Sequence, residues 1–173
     1  MWRRRLLPLV VGLSILTAVV LLTGRSGFRA LVAYGVEWRF DAVEHLSVEA
    51  AATGVTDPAP PLFLDVRGRD EYLAGHIRGA RWLDPATAAP TVVDALPSDR
   101  PIIAYCSVGW RSSEMAARLR AAGRPAVANL RGGLFEGVVR GHPGVRDGRA
   151  SRQVHPYGVP WSWLLPEALR ADP

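Results

Sequence analysis

Lysine is absent and cysteine occurs once in a chain of 173 residues. A single cysteine excludes an internal disulfide framework and any cysteine-rich zinc or iron–sulfur site. The histidines, at 45, 76, 142 and 155, are scattered without ligand spacing, so no metal site and no metal cofactor is expected. A basic domain is also lacking, although the formal net charge is +5. Five of the 21 arginines precede Ala30; beyond it, 16 arginines face 16 acids. The excess positive charge is N-terminal, and no folded basic face for nucleic acid is implied. Hydrophobic residues make up 49% and charged residues 21%, which excludes wholesale disorder. The length suits one domain with an appendage.

Leu6 to Gly24 carries no charge over 19 residues and follows Arg3, Arg4 and Arg5. As a helix it would be about 28 Å long, close to the hydrocarbon thickness of a bilayer. Residues 1–25 are therefore expected to form one transmembrane anchor, with a cleaved signal sequence as the rival reading. The denser arginine cluster before the run places the soluble part outside the cytoplasm (periplasmic) rather than inside, as a single-pass membrane protein. Residues 26–42 read as a juxtamembrane helix or linker. Phe28, Leu31, Val32, Gly35 and Trp38 share one helical face, which lies either along the membrane surface or against the domain.

From Val43 short apolar runs alternate with helix signals. Ser47 caps a helix over Val48–Ala52; Leu62–Asp65 is a strand; Asp70–Ala74 a short helix; Ala80–Leu83 a strand; Thr87–Leu96 a helix. Pro101–Tyr105 is a fully apolar strand, Ser112–Ala122 a helix closed by Gly123, Ala126–Leu130 a strand, and Leu134–Arg140 a helix. Asp57–Pro61 is a turn-rich connection. This alternation predicts an α/β domain over 43–145 with a mainly parallel central sheet flanked by helices, preceded by the transmembrane helix. The tail 146–173, with prolines and Tyr157, Trp161 and Trp163, is expected to pack back on the domain.

Cys106 directly follows the apolar strand and precedes the helix, where ligands bind in open α/β sheets. A turn at Gly109 aims backbone N–H groups at the sulfur, and the positive helix end favours a thiolate. Arg111 offers a fixed cation and a forked donor for an anionic substrate.

Cys106-Ser-Val-Gly109-Trp-Arg111, preceded by Leu64-Asp-Val-Arg67, Glu71-Tyr72 and Gly75-His-Ile-Arg-Gly79-Ala80, and followed by Leu130-Arg-Gly132-Gly133, resembles the rhodanese domain over about Val43 to Val145. Two places depart from that family's pattern. Gly137 stands where a tryptophan is common, its space expected to be filled by Phe135 or the tail tryptophans, and Arg78 stands where a proline is common. The resemblance implies sulfane-sulfur transfer without a cofactor. Cys106 would take sulfur from thiosulfate or a similar small anion as a persulfide and give it to a thiol or cyanide. Ser107, Val108, Gly109, Trp110 and Arg111 would cradle it. Asp65 and Arg67 would brace the loop as an ion pair; Glu71 and Tyr72 are read as structural, and His76 as packing a turn. A phosphatase or arsenate reductase of the same fold needs one more loop residue than Cys106–Arg111 provides. A non-catalytic scaffold module commonly lacks the cysteine that is kept here.

Overall fold

The computed structural model describes residues 2–55, 59–86 and 93–172. Five parallel strands form the central sheet in the order β1-β5-β4-β2-β3: β1 Glu44–Leu46, β2 Leu62–Asp65, β3 Arg81–Trp82, β4 Ile102–Tyr105 and β5 Val127–Leu130. Helices α2 (Val48–Gly54), α3 (Arg69–Ala74), α4 (Trp110–Ala121) and α5 (Gly133–Val139) alternate with the strands, after a first helix α1 (Trp2–Arg39). A hairpin of β6 (Gly144–Arg146) and β7 (Arg149–Ser151) opens the tail.

Strands β2, β4 and β5 are buried at every position because both sheet faces are covered. Side chains that alternate along a strand divide between two cores. Phe63, Ile103 and Tyr105 pack with α2, α5 and the tail residues Val154, Leu164 and Leu165. Leu62, Leu64, Ile102 and Ala104 pack with Met115, Ala116 and Leu119 of α4, and Cys106 continues that face. Cys106 thus inherits its position from the alternation of the strand before it.

The expected strands and most expected helices are present, with differences that have local causes. Helix α4 begins at Trp110, two residues before the expected start at Ser112. Gly109, in the left-handed region at φ 100°, makes the turn into the helix. The Ser112 hydroxyl donates instead to Asn129 Oδ1 at 2.6 Å, and the Ser113 hydroxyl to the Gly109 carbonyl at 2.7 Å. Ser47 caps α2 as expected, accepting from the Ala50 N–H. Of the expected helix 87–96, residues 87–92 lie outside the described ones, and Val93–Ala95 form a single 3₁₀ turn. Part of the connection 57–61 also lies outside them.

Helix α1 is broken at Gly24, where φ 59° and ψ −144° are not helical. Most side chains of residues 2–20 lie outside the described ones. Among the described residues no helix is long and apolar enough to cross a membrane. The segment after Gly24 packs on the domain through a face rotated from the expected one. Arg29 Nε donates to Glu136 Oε2 at 3.1 Å, Arg131 pairs with Glu37, and Phe28 meets Trp163 edge-on at 5.8 Å. Ala33 and Val36 are buried in this contact. Leu31 and Trp38 of the expected apolar face remain 40% and 76% exposed, because packing follows the ion pairs as well as the apolar stripe.

Gly137 is buried, and a Cβ built on it would meet nothing within 4 Å. It lines a cavity of about 410 Å³ together with Val48, Ala51, Phe63 and Leu134. Phe135 does not fill that space; it lines a small pocket beside Arg29 and Val32 instead. The tail tryptophans do not line the cavity either, so the expected compensation does not occur.

Candidate active site

Strand β4 delivers Cys106 to the carboxyl end of the sheet, where the thiol is only 1% exposed. The loop turns at once, and the Gly109 N–H donates to Cys106 Sγ at 3.2 Å. The carbonyls of Cys106 and Ser107 accept from the Leu134 and Phe135 N–H groups, at 2.9 and 3.1 Å. In a trans peptide the next N–H points opposite the carbonyl. Pinning these two carbonyls on α5 therefore turns the Ser107 and Val108 N–H groups away from α5. The close approach depends on Gly133. A Cβ there would lie 2.5 Å from the Cys106 carbonyl oxygen and 2.7 Å from that of Ser107. This is the physical content of the Gly132-Gly133 pair.

Arg111 occupies the first turn of α4 and is held from outside the loop. Its Nη1 and Nη2 donate to Glu71 Oε2 and Oε1, each at 2.8 Å. The Ser107 hydroxyl donates to the same carboxylate at 3.0 Å, and Arg111 Nη2 also reaches that hydroxyl at 3.2 Å. Glu71 therefore clamps both ends of the loop. It is itself fixed by α3, accepting from the Gly68 N–H at 3.0 Å. Burial pushes the Glu71 pKa up, but the hydrogen bonds and charge of Arg111 outweigh it and hold the carboxyl below its ordinary value. Burial likewise pulls Arg111 down, yet Glu71 and the nearby Cys106 raise it on balance. Expected only as a structural residue of α3, Glu71 is part of the site. Its signal in the sequence was a carboxylate in the first turn of a short helix, a place that fits a helix cap equally well.

Asp65 and Arg67 form a fully buried ion pair. Arg67 Nη2 donates to Asp65 Oδ2 at 2.7 Å and to the Gly75 carbonyl at 2.7 Å. Trp82 Nε1 donates to the Arg67 carbonyl at 2.9 Å. Burial alone would lower the Arg67 pKa; the bonds and charge of Asp65 reverse this. The pair ties β2 to the connection after α3, beside the Glu71 clamp. His76 stacks on Tyr72 with ring centroids 3.8 Å apart, packing the turn. Asn129, not singled out from the sequence, joins Ser112 to His45 behind the loop. Its signal was available: a polar residue in an otherwise apolar buried strand.

The tail closes the mouth of the site. Cys106, Ser107, Val108, Trp110 and Arg111 line a cleft of about 120 Å³ with Tyr157 and Trp161. The Arg111 guanidinium lies 4.8 Å from the Tyr157 ring centroid. The arrangement suits a small anionic or sulfur-bearing group reaching a buried thiol beside backbone N–H donors. No group of three or more potential metal ligands occurs among the described residues.

Comparison with known proteins identifies the family of this fold. The rhodanese-like domain family matches residues 47–138. A sulfurtransferase of Allochromatium vinosum is 32% identical over 101 residues, covering 58% of this chain and 94% of the relative. The solution structure of a rhodanese-like domain from Anabaena is 27% identical, with TM-score 0.53, covering 60% of this chain and 80% of that one. The crystal structure of a thiosulfate sulfurtransferase from Pseudomonas aeruginosa is 26% identical, with TM-score 0.58, over 70% of this chain. That match covers only 23% of the Pseudomonas chain. With its parallel sheet, its cysteine loop on β4 and these homologues, sulfurtransferases among them, the chain belongs to the rhodanese-like domain family.

Proposed function

We propose that the chain is a sulfurtransferase that moves sulfane sulfur from thiosulfate, or a similar small anion, to a thiophilic acceptor through a Cys106 persulfide. The observation that carries this reading is the buried Cys106 sulfur at the strand end, met by the Gly109 N–H inside a six-residue loop clamped by Glu71. The Cys106 thiolate attacks the outer sulfur of thiosulfate. The sulfur–sulfur bond of the donor breaks and sulfite leaves with its electron pair. The acceptor then attacks the outer sulfur of the persulfide, and Cys106 departs as a thiolate, ready for another cycle. Backbone N–H groups of Ser107, Val108, Gly109, Trp110 and Arg111 meet the bound anion. Arg111, its guanidinium fork taken up by Glu71, shapes the loop, and the N-terminal end of α4 adds positive potential beside it. The relatives named sulfurtransferases support the transfer chemistry, and the Pseudomonas homologue supports thiosulfate as donor.

The uncharged run Leu6–Gly24, with three arginines before it, supports tethering of this domain to a membrane on its non-cytoplasmic side. Thiocyanate formation from thiosulfate and cyanide tests the chemistry. The wild type turns over and Cys106→Ser does not; equal turnover in both refutes the persulfide route. Carbonate extraction, and protease treatment of spheroplasts whose outer membrane has been opened, test the tether. Release into the soluble fraction refutes the anchor, and protection of the domain from added protease refutes the orientation.

A further inference from the structure

A second groove borders the cleft over Cys106. Val108, Trp110 and Trp161 line the cleft on one side and this larger groove of about 660 Å³ on the other. The far wall of that groove is α1, which contributes Gly35, Trp38 and Arg39. Leu31, Gly35 and Trp38 are the apolar stripe that the packing of α1 leaves without a partner. Trp110 is itself half exposed, meeting Phe40 edge-on at 5.2 Å. Among the described residues no carboxylate lines the groove, and Arg39 is its one charged residue. A bare anion such as thiosulfate needs only the inner cleft. The groove is several times larger and apolar, and it shares Val108, Trp110 and Trp161 with the cleft over the buried sulfur.

We infer that the sulfur acceptor is a thiol carried on an apolar arm, with a neutral or anionic far end. The arm lies in the groove between α1 and the Cys106 loop. This rests on the reading of Cys106 as the sulfur carrier. The acceptor thiolate attacks the outer sulfur of the Cys106 persulfide. A new sulfur–sulfur bond forms to the acceptor, the bond to Cys106 Sγ breaks, and its electron pair returns to Cys106. The product is the acceptor's persulfide, with no external oxidant or reductant. Burying the arm against Trp38, Trp110 and Trp161 strengthens with each methylene. Arg39 disfavours a cationic end.

The test uses the full chain charged with thiosulfate and a series of straight mercaptoalkanoates, from mercaptopropionate to mercaptooctanoate. Cyanide discharge is measured alongside. The acceptor kcat/KM rises by about two- to fourfold per methylene until the groove is filled. An aminoalkanethiol of matched length is slower than the longest acid. A Cβ on Gly35 meets nothing within 4 Å, so Gly35→Phe adds bulk to the groove without a packing clash. In Gly35→Phe and Trp110→Ala the dependence on chain length flattens, relative to each variant's own rate with mercaptopropionate. Tyr34→Ala, 63% exposed and not among the groove residues, keeps the wild-type slope. Normal cyanide discharge with a flat series overturns the inference. So does an unchanged slope in both groove variants, or an acceptor rate that appears only when phospholipid vesicles are added, which would make the groove a lipid-facing surface. Failure to load sulfur at all overturns the sulfurtransferase reading instead.

Discussion

Replacing Glu71 separates the clamp from the nucleophile, because Glu71 makes no bond to the sulfur. In Glu71→Gln the carboxylate charge is gone and one acceptor oxygen becomes a donor amide, so the Arg111 guanidinium keeps at most one of its two 2.8 Å bonds and the Ser107 hydroxyl loses its ionic acceptor. Removing one partner of a buried pair typically costs about 3–5 kcal/mol. Here the Arg111 side chain keeps 28% of its exposure and is partly rehydrated, which brings the expectation down to about 2–3 kcal/mol. Arg111→Ala should cost more, about 3–4 kcal/mol, since it strands the Glu71 carboxylate, whose side chain is only 9% exposed. The double variant Glu71→Gln/Arg111→Ala removes both charges, so its loss should fall short of the sum by about 2 kcal/mol. Urea denaturation of the four proteins at neutral pH gives these differences, and thiosulfate turnover reports the loop. Turnover should fall in both single variants, because the Ser107 and Arg111 ends of the loop lose their common anchor. Losses that add within about 0.5 kcal/mol would show that the two residues act independently and would refute the clamp.

Glu71 also sets a pH dependence. Its folded carboxyl titrates below the ordinary value of 4.5, so its contribution is complete above that value and is lost as pH falls through the depressed one. The stability difference between wild type and Glu71→Gln should therefore shrink in acid, and a difference that grows there contradicts the assignment. Gly133→Ala should cost about 2–4 kcal/mol and most of the activity, since its Cβ meets two backbone carbonyls at a positive φ of 60°. Thermal unfolding with the turnover assay checks this, and a neutral substitution would mean that α5 does not hold the loop. Gly137→Ala should raise stability by about 1 kcal/mol with turnover unchanged, because it enters open space inside a helix. Destabilisation would show that the cavity beside α2 is filled in solution.

Strands β2 and β4 were legible because burial on both sheet faces leaves nothing but apolar residues at Leu62–Leu64 and Ile102–Tyr105, whereas the edge strand β1, Glu44-His-Leu46, carries no apolar run and was not expected. The placement of Cys106 followed from them. The start of α4 was not legible. Trp110 and Arg111 read as loop residues, and the sequence does not show that the turn at Gly109 already starts the helix. Glu71 was visible as a residue but not as the partner of Arg111, because the two are 40 positions apart and meet only through the strand order of the sheet. The same holds for α1, whose docking face is chosen by Glu136 and Glu37's partner Arg131, over 90 residues away. Gly137 showed a missing side chain; that nothing replaces it depends on where Phe135 points, which periodicity alone does not determine.

The account depends most on Cys106 as a covalent carrier of sulfur. Because the chain has one thiol, intact-mass spectrometry of the full protein after thiosulfate is unambiguous. The account predicts a gain of one sulfur atom, removed by cyanide and absent from Cys106→Ser. No mass gain in the wild type, or the same gain in Cys106→Ser, would contradict it.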